Sequence, residues 1–395
     1  MQEQEEKSYL RLARAYEIKN KKDRRIYRFF EILPGALALL TFLVFGLASK
    51  FFPAYVSIFL IVFVIFWLFR SAYYLTHLIS SYQKMKQYEK IDWQKKLEAI
   101  EFPINTLPTI KSLADLYHLI ILPTYKEPYE IVKESLDSLI NSGYNPQKLI
   151  VVLATEERAK EQGEEIRQLA LKDFDGKFFR FFETIHPQDI PGEIAGKGSN
   201  EAWAGKQVVK EIIDPLEIPY ENVIVSVFDI DTLTRFGFFQ CLAYHYLTAQ
   251  DPLHSSYQPL PIYTNNIWEA PAVARILSFS STFWQMIQQA RPESLITFSS
   301  HSMGLKPVVE IGFWQENVVS EDSRIFYQCF LHYNGNWQVV PLYYPVYMDA
   351  NISCLLYTSD AADDLLCVDL VGRRIIKKKK IISHNCQQLF RFLST

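Results

Sequence analysis

The chain has 395 residues, with 41 Lys and Arg against 44 Asp and Glu and a formal net charge of −3. That near balance gives no footing for nucleic acid as a partner, and 49% hydrophobic with 22% charged residues excludes a wholly disordered chain. Five cysteines (Cys241, Cys329, Cys354, Cys367, Cys386) form no CxxC pair, which argues against a zinc site or a disulfide framework.

Residues 1–29 read as a basic cytosolic N-terminus. Two apolar runs follow, Ile32 to Ser49 without a charge and Phe51 to Phe69 likewise, parted by Lys50. A bilayer core takes about 20 apolar helical residues, so 30–75 reads as a pair of transmembrane helices joined by a tight link. A cleaved signal peptide fits poorly, because a second run follows the first at once. A buried soluble hairpin is the competing reading, and nearly forty residues with one charge oppose it. Eight bases precede the hairpin (Arg11, Arg14, Lys19, Lys21, Lys22, Arg24, Arg25, Arg28) and six follow it (Arg70, Lys84, Lys86, Lys90, Lys95, Lys96), against Lys50 in the link. The positive-inside bias therefore puts both ends in the cytoplasm of a multi-pass inner-membrane protein, in contact with its lipids.

After a juxtamembrane linker, 76–114, apolar runs alternate with amphipathic stretches. Tyr117–Leu122 is a strand stopped by Pro123, and Tyr129–Ser142 is a helix with Ile131, Leu136, Leu139 and Ile140 on one face. Leu149–Leu153 is a strand leading into a charged helix at Glu156–Lys172. Phe178–Phe182 is a third strand and Val223–Phe228 a buried fourth. The alternation predicts an α/β domain over 115–353 with a mainly parallel sheet, whose ligands bind beyond the strand ends.

Four segments there carry chemistry. Pro123-Thr124-Tyr125-Lys126-Glu127 follows the first strand, and Asp229-Ile230-Asp231 follows the buried one. Carboxylates at i and i+2 project to one side and supply the hard oxygens that Mg²⁺ or Mn²⁺ takes, although two solvated loop carboxylates would read the same. Gly196-Lys197-Gly198-Ser199-Asn200 tempts a phosphate-loop reading. It fails, because Pro191 stands where that motif needs its first Gly and Gly198 where it needs Ser or Thr, leaving a flexible loop with one useful Lys. Ser320-Glu321-Asp322-Ser323 opens a helical stretch, where acids are also favoured by the helix dipole alone.

Order and spacing together resemble the membrane-bound family 2 glycosyltransferases, of the cellulose, chitin and hyaluronan synthase-like type. Their Pro-x-Tyr-Asn-Glu turn is matched at 123–127, with Lys126 for the usual Asn. Their Lys-Gly/Ala-x-Asn loop is matched by Lys197, Gly198 and Asn200, and their D-x-D by Asp229 and Asp231. Ile311-Gly312-Phe313-Trp314 approximates their acceptor-side stretch, and Glu321-Asp322 their Glu-Asp motif. The resemblance implies a GT-A fold, Rossmann-like, over about 115–350. It implies a nucleotide-sugar donor, a UDP-sugar above all, and inverting transfer to a polysaccharide or lipid-linked acceptor. Asp229 and Asp231 would hold Mg²⁺ or Mn²⁺, Asp322 beside Glu321 would be the general base, and Asn200, Pro123 and Tyr125 would border the donor. Glu127 and Glu156 would face the nucleoside and Lys197 the nucleotide side, with Gly312, Phe313 and Trp314 toward the acceptor; a core Trp is the other reading of Trp314. His301 is expected to be an ordinary satisfied polar residue.

Two departures stand out. The family's second strand usually ends in paired Asp, where this chain has Ala154-Thr155-Glu156-Glu157, so Glu156 is a substitute. The C-terminal Gln/Arg-x-x-Arg-Trp motif of processive members is missing. Residues 354–380, CLLYTSDAADDLLCVDLVGRRIIKKKK, read as translated sequencing adapter, so that 354–395 is an artefactual or disordered tail on a truncated protein; a basic tail at the membrane face is the alternative. Rival functions are a processive synthase, a non-processive lipid-linked transferase, and a catalytically inactive membrane scaffold.

Overall fold

The computed structural model describes residues 12–350; the expectations for Arg11 and for 354–395 lie outside the described residues. Two helices come first, α1 (Lys21–Phe51) and α2 (Pro53–Tyr88), both long and apolar enough to cross a membrane. Asn20 caps α1 by accepting from the Lys22 amide, and Pro53 starts α2 at the position where its missing N–H costs nothing. The second helix outlasts its apolar run by 19 residues, so the linker expected from residue 76 begins as helix. Ser81 and Met85 of that extension are buried. A short helix, α3 (Trp93–Glu98), then leads into the α/β domain.

Chain order through the domain is β1 (Tyr117–Pro123), α4 (Tyr129–Ile140), β2 (Leu149–Glu156), α5 (Lys160–Phe174), β3 (Arg180–His186), α6 (Lys197–Val208) and β4 (Val223–Val227). It continues α7 (Phe238–Thr248), β5 (Ser255–Tyr263), α8 (Ala272–Gln289), β6 (Ser302–Gly304), α9 (Leu305–Ile311), α10 (Glu321–His332) and β7 (Gln338–Met348). The sheet order is β3-β2-β1-β4-β6-β5-β7. Every pairing is parallel except those of β6, which runs against both β4 and β5. The expected α/β class with a mainly parallel sheet is therefore what the chain adopts.

Both faces of the central strands are covered, which is why they read as unbroken apolar runs. Ile120 and Leu122 of β1, with Val151 and Leu153 of β2, enter one core beneath α4, α5 and α7. The alternating residues Leu119, Ile121, Ile150 and Val152 enter a second core with α6, α9 and α10. Each buried Val, Leu or Ile contributes about 1.5–3 kcal/mol, so the strands set the register. β1 and β4 are neighbours, yet the chain leaves β1 toward β2 and β3 and returns to β4 on the other side. Between their carboxyl ends lies the crevice where such sheets bind ligands.

Candidate functional site

A cavity of about 550 Å³ opens at that crevice. Ten residues singled out from sequence line it: Pro123, Tyr125, Glu127, Glu156, Lys197, Asn200, Asp229, Asp231, Glu321 and Asp322. Three residues that sequence reasoning passed over, Arg158, Ser299 and Asp349, share the wall.

Residues 196–200 are not a flexible loop. Lys197 opens α6, and Gly198 sits where an added Cβ would lie 2.9 Å from the Glu321 Cβ and 3.3 Å from the Gln315 carbonyl oxygen. A glycine there lets the first turn of α6 press against the start of α10. As a result the Lys197 ammonium reaches four carboxylates: Asp229 Oδ1 at 2.6 Å, Asp322 Oδ2 at 2.7 Å, Glu201 Oε1 at 3.5 Å and Glu321 Oε1 at 3.9 Å. Burial alone would depress the lysine pKa, but these carboxylates hold it well above the ordinary value. Burial pushes Asp229 up; Lys197 and a hydrogen bond from Ser299 overcome that and leave it lowered.

The other acids are held largely by burial. Glu321 is pushed up to about 8 by desolvation and by Asp322, against the pull of Lys197. Desolvation also raises Glu201 well above the carboxylate range. Glu201 was missed from sequence, although it stands one helical turn after Lys197 and is fully buried. One oxygen each from Glu201, Glu321 and Asp322 lie within 4.8 Å of one another, an acidic group that could hold a metal ion. Asp231 is raised by burial and then by Asp229 and Asp349, while the Asp349 amide donates to its Oδ2 at 3.0 Å. Its Oδ1 is buried without a hydrogen-bond partner, so the residue fits a role as cation ligand.

His301 is not the satisfied polar residue expected: it is buried, and neither ring nitrogen has a hydrogen-bond partner. Its Nδ1 lies 3.5 Å from Asp322 Oδ1, and burial lowers its pKa against the opposing pull of that carboxylate.

Toward β2, the expected substitute acid Glu156 is buried and ion-paired with Arg158, whose Nη2 is 2.9 Å from Oε1. The same guanidinium lies over the Tyr125 ring, 4.3 Å from its centroid. Glu127 Oε2 accepts from the Thr124 hydroxyl at 2.8 Å and from the Tyr125 and Lys126 amides at 2.7 and 3.1 Å, so this oxygen braces its own turn. Asn200 Nδ2 donates to the Ala154 carbonyl at 2.8 Å and ties α6 to the end of β2.

The acceptor-side trio does not reach the cleft. Gly312 ends α9 in the left-handed region at φ 82°, where glycine is favoured. Phe313 and Trp314 are buried in the core under α6, where Gly205 admits them; a Cβ on Gly205 would meet Phe313 Cδ1 at 2.8 Å. The Trp314 ring fills the core.

No family model and no curated protein matches the sequence. Solved structures similar to the chain include a mannosyltransferase from Pyrobaculum calidifontis in complex with GDP-Man and Mn²⁺, at 15% identity and a TM-score of 0.43, covering 74% of this chain and 71% of that one. Residues 1–349 of TarS from S. aureus in complex with UDP-GlcNAc match at 14% identity and a TM-score of 0.40, covering 60% of each chain.

Proposed function

We propose that the chain is a membrane-anchored glycosyltransferase of the family 2 type. It transfers a sugar, with inversion, from a nucleotide-sugar donor of the UDP-sugar class to a polysaccharide or lipid-linked acceptor at the cytosolic face of the membrane. The observation that carries the reading is the gathering of Lys197, Asp229, Asp231, Glu321 and Asp322, distant in sequence, at one crevice beyond the strand ends.

Asp322 is the general base. The hydroxyl oxygen of the acceptor forms a bond to the anomeric carbon, the bond from that carbon to the diphosphate oxygen breaks, and the hydroxyl proton passes to Asp322. Glu321 is the poorer base, since a carboxyl with a pKa of about 8 is mostly protonated at neutral pH. Lys197 holds Asp322 in place and presents positive charge to a diphosphate. Asp231, through its unpaired Oδ1, and Asp229 would hold Mg²⁺ or Mn²⁺, although Asp229 must first yield its contact with Lys197. A dication there supplies charge neutralisation on the departing diphosphate. Arg158 and Tyr125 form the flat cationic wall nearest Glu156, suited to a nucleoside.

The test is calorimetry of UDP-sugars with Asp231→Ala. Donor binding that depends on Mn²⁺ or Mg²⁺ in the parent should vanish in the variant without loss of the fold. Unchanged binding with and without the metal would refute the assignment.

A further inference from the structure

Helix α8 is inside out. Its protein-facing side carries four polar residues, Ser278, Thr282, Gln285 and Gln289, beside Ala274 and Met286, all buried. Its outward side carries Val273, Ile276, Phe279, Phe283 and Trp284, from 40 to 65% exposed. A helix packed on a water-soluble domain has the opposite arrangement. The register is locked rather than accidental: Gln289 Nε2 donates to the Gln258 carbonyl at 2.7 Å, and the Thr282 hydroxyl accepts from the Tyr263 amide at 3.4 Å. The single charged residue of the helix, Arg275, is half-buried, so the exposed face is uncharged.

We propose that this face is a docking surface for the lipid bilayer, with α8 lying in the membrane interface. Continuity with the membrane-crossing helix selects this occupant. The Trp284 ring meets Tyr74 of α2 edge-on at 5.9 Å, and Tyr74 stands about one helical turn past Arg70, where the apolar span ends. Met286 packs with Met85 of α2 and Leu260 of β5. Arg291, just after α8, lies 5.9 Å from the Tyr73 ring centroid. Tyr, Trp and Arg side by side at the end of an apolar span are what the headgroup region favours. From that level the apolar stripe extends the bilayer-facing surface of α2 sideways, as interfacial helices do. Because Ser278 and Ser281 on the same helix line the cleft, this docking sets one wall of the cleft against the membrane.

The full chain is placed in vesicles of phosphatidylcholine and phosphatidylglycerol, with a photoreactive benzophenone side chain at position 276, 279 or 283 in turn. Position 60 in the apolar span is the positive control and exposed position 171 the negative one. Lipid adducts found by mass spectrometry at the α8 positions should exceed those at 171 at least tenfold and approach those at 60. Adduct levels no higher than at 171, or crosslinks to a second protein chain instead, would overturn the proposal. Since adduct yield needs no activity, UDP-sugar calorimetry on the same samples separates this surface from the transferase reading: adducts without donor binding sustain the docking surface and refute only the transferase.

Discussion

Replacing Lys197 with Met keeps the aliphatic stem and removes the ammonium that Asp229 and Asp322 share at 2.6 and 2.7 Å. The side chains of Lys197, Asp229 and Asp322 are 25, 30 and 14% exposed, so removing the ammonium costs about 3 kcal/mol, the low end for a buried pair whose other charge is left without compensation. For a domain of this size each kcal/mol moves Tm by about 2–4 °C, so the loss at pH 8 should be on the order of 10 °C. In the parent, the lowered pKa of Asp229 contributes stability that is present above its unfolded value of about 4 and is lost as pH falls through the lowered folded value. In the variant, burial acts on Asp229 against only the Ser299 hydrogen bond and His301, and the sign reverses. A folded pKa above the unfolded one penalises the fold as pH rises through the interval between them. Lys197 itself stays charged across this range, since its pKa lies well above the ordinary value. The deficit should therefore be largest at pH 8 and shrink toward pH 5. Melting by intrinsic fluorescence in detergent with EDTA, from pH 5 to pH 8, measures it. Equal midpoints at pH 8, or a deficit that does not change with pH, would refute the reasoning.

Asp322→Asn keeps the size of the side chain and removes its basicity, so transfer should fall by about 10²–10⁴-fold while calorimetric donor affinity persists. Trp314→Ala should cost about 3–5 kcal/mol of stability, read as a lowered melting midpoint, without a selective rise in acceptor KM, because the ring fills the core rather than the cleft. A cysteine placed at Lys50 should react with a membrane-impermeant thiol reagent from outside the cell, and one at exposed Leu171 only after permeabilisation; the reverse pattern would overturn the cytosolic orientation.

The central strands were legible because burial on both faces leaves an unbroken apolar run, as in Leu149–Leu153 and Val223–Phe228. The later strands were not. β5 carries Pro259 and Pro261, and β7 carries Pro341 and Pro345, residues that argue against strand pairing. They are tolerated because β6 pairs only with Ser256 and Tyr257 of β5, and because β7 is an edge strand that meets β5 across an irregularity near Gln258. Ten of the residues singled out from sequence converge on the cleft, since turn residues after parallel strands share one end of the sheet. Local pattern could not reveal that Glu127 and Asn200 spend hydrogen bonds on the scaffold, nor that Glu201 joins the acids. The Glu127 bonds close its own turn after β1, the Asn200 bond depends on how α6 meets the end of β2, and the Glu201 grouping on how α6 packs against α10. The outward stripe of α8 has helical spacing that a sequence reading assigns to a core. Only the tertiary contacts of Gln289 and Thr282 show which side is in.

The uninterrupted course of α2 has a mechanical consequence. About 28 Å of rigid helix extends past the apolar span, at 1.5 Å for each of 19 residues. It grips the sheet through Lys84, 3.2 Å from the Tyr343 hydroxyl, and through Tyr88, whose ring lies 5.5 Å from that of Tyr343. Tyr343 belongs to β7, and just past the end of that strand the Asp349 amide holds Asp231. A thinner bilayer makes a spanning helix tilt, and a stiff rod transmits its tilt where a loose tether would absorb it. On the membrane-anchored reading, acyl-chain length thus becomes an input to the carboxylate geometry, and affinity for the proposed donor compared across short- and long-chain vesicles gauges the leverage.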